Sequence, residues 1–138
     1  MNIEQATSYA NEFFASPEAA QRMLDDQAVF EFPGAMHLEG KSKIEHVFAK
    51  APEQGIESTT YALSNICLGG DGGVDLIAVE MEAAYRLVRS PTVTVRGLSM
   101  LTVKNGKVVN WLYCINNTAL TELIGMADQL GSASVRMR

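Results

Sequence analysis

Apolar residues recur at helical spacing near the start of the chain. Over residues 3–15, Ile3, Ala6, Tyr9, Ala10, Phe13 and Phe14 share one face, which predicts an amphipathic helix. Ser16-Pro17-Glu18 then reads as an N-cap, a proline at the first helical position and an acid in the first turn. The short helix it opens buries Ala20, Met23 and Leu24 and stops near Asp25-Asp26. A strand over 28–32 ends at Pro33-Gly34. After a turn-rich stretch, residues 40–50 repeat the helical period with Ile44, Val47 and Phe48 inward, and Pro52 closes that helix.

Beyond this point the period changes from 3.6 to 2. Strands are predicted over 58–68, 74–87, 92–103 and 107–115. Gly69 to Gly73 forms one turn, Arg89-Ser90-Pro91 a second and Lys104-Asn105-Gly106 a tight hairpin. A last helix over about 117–130 carries Leu120, Leu123, Ile124, Ala127 and Leu130 on one face, and the tail from Gly131 is expected to fray. Helices first and a meandering antiparallel sheet afterwards make one α+β domain over residues 1–138.

Alternation assigns the faces. In 77–87 the odd positions Ile77, Val79, Met81, Ala83, Tyr85 and Leu87 are apolar, and the even ones include Glu80, Glu82 and Arg86. The odd face must meet the helices, because burying two unpaired carboxylates costs several kcal/mol each. In the next strand Val93, Val95, Ser99, Leu101 and Val103 follow the same side. In the last strand Val109, Trp111, Tyr113 and Ile115 do so. The opposite face still carries Leu98, Met100, Val108 and Leu112, which predicts a homodimer through the outer sheet face.

Composition narrows the function. A 138-residue chain with 47% apolar residues can build a core unaided, and its net charge of −5 with no basic cluster argues against nucleic acid. No apolar run approaches the length of a membrane span, and the first residues lack the pattern of a signal peptide. Cys67 and Cys114 follow no paired spacing and read as reduced thiols of a cytoplasmic protein. His37 and His46, nine positions apart, assemble no recognisable metal set, and the glycine run lacks the Lys-Ser/Thr of a phosphate loop. The expectation is therefore no metal and no cofactor.

Four segments in order resemble the nuclear-transport-factor-two-like superfamily, which includes ketosteroid isomerase, limonene epoxide hydrolase and SnoaL-like polyketide cyclases. They are Leu24-Asp25-Asp26-Gln27-Ala28-Val29-Phe30-Glu31-Phe32-Pro33-Gly34, Glu39-Gly40-Lys41, Val93-Thr94-Val95-Arg96-Gly97-Leu98-Ser99, and Lys104-Asn105-Gly106-Lys107-Val108-Val109-Asn110-Trp111. The resemblance covers residues 3–116. It implies a cone-shaped, curved antiparallel sheet wrapped around the N-terminal helices, here with an added C-terminal helix, and a deep cavity for a hydrophobic small molecule.

The catalytic sets of these relatives are not intact here. The isomerases' base aspartate falls on Phe32 and their second acid on Ser99, while their helix-one tyrosine has a counterpart in Tyr9. The epoxide hydrolases' strand acid, two residues after the tryptophan, falls on Tyr113, and their Arg-x-Asp pair falls near Glu80 and Glu82.

The candidate chemistry follows from these positions. Tyr9 and Tyr113 are the candidate phenol donors to a developing oxyanion. Glu82, if a bulge near Ala83-Ala84 exchanges the faces, and His37, if its loop reaches the cavity mouth, are the candidate bases. The pocket wall is expected to comprise Phe14, Phe32, Met81, Tyr85, Val95, Ser99, Leu101 and Trp111. Two functions follow: acid/base isomerisation, cyclisation or hydrolysis of a hydrophobic carbonyl or epoxide, or ligand binding without turnover. Whether any base reaches the cavity separates them.

Overall fold

A computed structural model describes residues 1–88 and 92–115 and the backbone of Val135–Arg136. The turn expected around 89–91 and the helix expected over 117–130 lie outside the described residues.

Helix α1, Ile3–Phe13, opens on a reciprocal cap. The Asn2 side chain accepts from the Gln5 amide at 2.8 Å, and the Gln5 side chain accepts from the Asn2 amide at 2.9 Å. Ala6, Ala10 and Phe13 are buried, whereas Ile3 is half exposed at the helix start. Helix α2, Pro17–Met23, starts as the sequence indicates, with Ser16 Oγ accepting from the Ala19 amide at 3.1 Å. Strand β1, Leu24–Phe32, follows without a loop, so Leu24 and the two aspartates belong to the strand.

Strand β2, Met36–Glu39, replaces part of the expected turn-rich stretch and pairs antiparallel with β1. Helix α3, Lys41–Ala49, and a short 3-10 turn, Ala51–Gln54, lead into β3, Ile56–Gly69. Strand β4, Val74–Leu87, and β5, Thr92–Lys104, come next. The hairpin at Asn105 and Gly106, both at positive φ, turns the chain into β6, Lys107–Cys114. The backbone of β7, Val135–Arg136, pairs parallel with β5 at Val93 and Thr94, where a frayed tail was expected. The described part of β6 pairs with β5 only from Leu98 onward, leaving the earlier stretch of that edge able to accept a strand.

The curved, open sheet runs β2-β1-β6-β5-β4-β3. Neighbours along this order are antiparallel except for β1 and β6, which, like β5 and β7 off this path, pair in parallel. Helices α1 and α3 lie on one face, α1 against β3 and β4, α3 against β1 and β2. Between helices and sheet sits the core.

The predicted inner faces of β4 and β5 hold along their length. Ile77, Val79, Met81, Ala83, Tyr85 and Leu87 are buried, as are Val93, Val95, Ser99, Leu101 and Val103. The β4–β5 ladder is unbroken from Val74 to Arg86, so no bulge near Ala83-Ala84 exchanges the faces. Irregularities lie instead in β3, at Glu57 and at Asn65 with its positive φ.

One assignment is reversed in β6. Thr102 pairs with Asn110 but Val103 pairs with Val108, so Val109 is the extra residue of a bulge. Parity flips there: Val108 is fully buried beside the inner face, and Val109 is only partly covered. The outer apolar patch therefore consists of Leu98, Met100 and Leu112 without Val108. Nearby, Gly97 allows close approach: a Cβ on it would lie 2.2 Å from Ile115 Cγ2 and 2.8 Å from the Cys114 carbonyl.

Among the described residues no helix is long and apolar enough to cross a membrane. Both cysteines are free thiols.

Candidate functional site: an apolar pocket with a phenol cluster

A pocket of about 640 Å³ lies between the helices and the inner sheet face. Its sheet wall carries Phe30 and Phe32 from β1, Tyr61 from β3, Tyr85 from β4, and Trp111 and Tyr113 from β6. Phe13 and Phe14 close it from α1, and Ile44, Glu45, Val47 and Phe48 from α3. Pockets of this size and polarity accept small organic molecules.

Trp111 is the hub of the aromatic packing. Its ring meets Phe30 at 4.7 Å, Phe13 at 5.0 Å and Phe48 at 5.5 Å between centroids, all edge to face. Its indole N–H donates to Ser99 Oγ at 3.3 Å, and Ser99 in turn donates to Met81 Sδ at 3.7 Å. Ser99 therefore fixes the tryptophan from behind rather than facing a ligand. Met81, Val95 and Leu101, also expected in the wall, lie in the packed core beneath it. Phe14, Phe32, Tyr85, Trp111 and Tyr113 line the pocket.

The polar feature of the sheet wall is a cluster of three phenols. Tyr113 shares a hydrogen bond with Tyr85, at 2.5 Å between oxygens, and the Tyr61 ring packs edge to face on Tyr113 with centroids 6.2 Å apart. Burial pushes the Tyr85 phenol up to about 12 and raises Tyr61 and Tyr113 further. All three therefore remain protonated donors through neutral pH. Two hydroxyl protons serve the single Tyr85–Tyr113 contact. Whichever way the hydroxyls turn, one proton is left for a further acceptor, and the hydrogen bond polarises that terminal O–H.

The other sequence candidates lie elsewhere. Tyr9 does not line the pocket: its hydroxyl donates to the Gly106 carbonyl at 2.9 Å, tying α1 to the β5–β6 hairpin. Its phenol is pushed up to about 12, chiefly by burial and secondarily by Glu12. His37 belongs to β2 rather than to a loop at the cavity mouth. It pairs in register with Glu31 and sits on the outer face, 3.1 Å from the Glu31 carboxylate and 3.2 Å from that of Glu39. Glu82 stays on the outer face opposite Arg96 because the ladder there is regular. Glu80 on the same face bonds Asn65 at 2.7 Å and Arg96, and these partners hold its carboxyl below the usual range.

Several pocket residues escaped the sequence reading, Tyr61 and Glu45 among them. Tyr61 was legible from its register opposite Ala83 on the inner side of β4, once the 58–68 strand is given faces. Glu45 sits between the inward Ile44 and Phe48, and a charged residue on an apolar helix edge is the only signal it gives. Among the described residues no group of three or more His, Cys, Asp or Glu could hold a metal ion.

The family model for the SnoaL-like domain matches residues 14–111. The chain belongs to the SnoaL-like family. Among solved structures, a candidate isomerase from Bacillus subtilis is 22% identical, covering 91% of this chain and 96% of its own, with a TM-score of 0.71. An LEH-like epoxide hydrolase from M. tuberculosis is 15% identical, with 92% and 96% covered and a TM-score of 0.66. TerC, co-crystallized with polyporic acid, is 18% identical, with 88% and 96% covered and a TM-score of 0.65. At these identities the SnoaL-like chain shares their fold. None of the curated proteins matches it in sequence.

Proposed function

We propose that this SnoaL-like domain binds a flat, largely apolar small molecule in the pocket, with one ligand oxygen accepting the free proton of the phenol cluster. The convergence of Tyr61, Tyr85 and Tyr113 on one apolar wall carries this reading. The neighbour co-crystallized with polyporic acid supports small-molecule occupancy of this fold. Binding without turnover is the favoured form, since His37 and Glu82, the two bases foreseen from the sequence, sit on the outer face.

A second reading is cofactor-free isomerisation, cyclisation or hydrolysis of a hydrophobic carbonyl or epoxide. It is favoured by the polarised phenol proton, which suits a developing oxyanion. Its base would have to be one of the pocket's carboxylates, Glu45 or Glu57, because the phenols hold their protons.

The test is quenching of Trp111, the only tryptophan, by menadione, a flat quinone. Saturable quenching with a micromolar midpoint is expected, and Tyr113→Phe should weaken it about tenfold through one lost hydrogen bond. Quenching that stays linear in ligand and unchanged in the variant would reject the reading.

The same proposal extends to assembly and location. Leu98, Met100 and Leu112 support a homodimer through the outer face, and the two free thiols favour a reducing, cytoplasmic setting.

A further inference from the structure

Phenols rise from the sheet wall of the pocket, and a carboxylate faces it from the helix wall. Glu45 lines the cavity from α3, one position after buried Ile44 and three before Phe48, whose ring packs on Trp111. Its partner is Lys41, one helical turn earlier at 4.0 Å, the outer limit of an ion pair. The pocket's other carboxylate, Glu57, is held closer, 3.3 Å from Arg86, which is not among the lining residues. Among the described residues, the side chains lining the pocket include two carboxylates and no Lys, Arg or His.

We infer that Glu45 sets the charge class of the ligand: the pocket selects a planar aromatic compound whose outer end is cationic or a neutral hydrogen-bond donor, and rejects carboxylates. This rests on the pocket being a ligand site, and it adds what that site prefers. The physical argument has two parts. An oxygen at the inner end of the ligand meets the phenol proton, so that end is an acceptor. An anion at the outer end would meet the Glu45 carboxylate, which is partly screened by solvent at 36% exposure, while the apolar lining offers nothing to replace the hydration the anion loses. An ammonium or hydroxyl at the same place would donate to it. The rings of Phe48 and Trp111 nearby favour a cation further.

Three ligands of one shape separate the possibilities: 6-(aminomethyl)-2-naphthol, 6-(hydroxymethyl)-2-naphthol and 6-hydroxy-2-naphthoic acid, titrated calorimetrically at pH 7 into the full-length protein. The expected order of affinity is amine, then alcohol, then acid, with at least tenfold between the first and last. Glu45→Gln should shrink that ratio severalfold, weakening the amine and strengthening the acid, while the alcohol changes least. Glu57→Gln should change the ratio less, because Arg86 already compensates that charge. An acid that binds as tightly as the amine, or a ratio untouched by Glu45→Gln, overturns the inference while leaving the pocket a ligand site. Failure of all three to bind overturns the pocket reading as well.

Discussion

The two faces of one sheet divide the protein's chemistry between them. On the inner face β4 presents Ile77, Val79, Met81, Ala83, Tyr85 and Leu87, all buried. One residue out of phase, the same strand presents Glu80, Glu82 and Arg86 to the outside. The inner face keeps its polar groups few and mutually bonded, as in the phenol cluster and the Trp111–Ser99–Met81 chain. The outer face pairs the full charges of Glu80 and Arg96 and sets His37 beside the carboxylates of Glu31 and Glu39. Hydration explains the split. A phenol can be dried if one partner accepts its proton, whereas an ionised carboxylate left alone in a dry site costs several kcal/mol. Acids and bases in these strands therefore gather where water is, Glu57 at the exposed start of β3 included, and the buried part of the sheet wall is left with donors.

The hardest test of this division is to move a charge across it by one residue. Val108→Asp, on the inner side of the β6 bulge, should cost about 4 kcal/mol or more by urea denaturation, enough to prevent folding of a marginal domain. Val109→Asp, at the bulge itself, should cost well under half as much. Equal costs would mean that parity does not change at Val109. On the same inner wall Trp111→Ala should cost about 3–5 kcal/mol, followed by circular dichroism since the fluorophore is lost.

This bulge also marks the limit of what the sequence discloses. Alternation places both ends of β4 and every inner residue of β4 and β5 correctly, because those ladders are regular and each slip would bury a charge. It reverses Val108 because both Val108 and Val109 are apolar, so no charge records which of them points inward. His37 was misplaced for a related reason. The Pro33-Gly34 turn hides the four residues of β2, whose pairing with β1 is a long-range fact. Of the site, the sequence makes legible Tyr113, Tyr85, Trp111 and the two phenylalanines. Tyr61 and Glu45 needed the register of β3 and the packing of α3.

A smaller effect follows from the phenols. Removing the hydroxyl in Tyr113→Phe takes away the hydrogen-bond partner of Tyr85 and should lower stability by about 1–3 kcal/mol. The alkaline limb of the stability profile reads the same cluster. The Tyr85 phenol titrates near 10 when unfolded and about 12 when folded, so its contribution is complete below pH 10 and is lost as pH rises towards 12. Stability should fall across that window by up to about 1.4 kcal/mol per pH unit for this one group. A flat profile between pH 10 and 12 would mean that the ring is hydrated in solution.

On the outer face a change should alter assembly more than folding. Arg96→Glu together with Met100→Glu places two acids in the patch around Leu98 and Leu112, where Glu80 already lies opposite Leu98 in register. Light scattering should report a dimer for the wild type at tens of micromolar and a monomer for the variant, with the unfolding midpoint of the variant's own chain little changed. A wild type that is monomeric at that concentration removes the dimer from the proposal.

The smallest expected effect belongs to the outer ion pair itself. Glu80 accepts from Asn65 and Arg96 in full contact with water, and exposed pairs contribute little because solvent and salt screen them. Glu80→Gln should therefore leave melting at pH 7 and moderate salt close to that of the wild type. Its signature lies in acid. The two donors lower the carboxyl in the folded state, so the contribution it makes is present above the ordinary carboxylate range and disappears as pH falls through the lowered value. The wild type should lose slightly more stability than Glu80→Gln on descending through that range, and added salt should erase the difference. If Glu80→Gln instead melted far below the wild type at pH 7, the outer face would be holding the fold by its charges. The contrast between the two faces would then be one of degree.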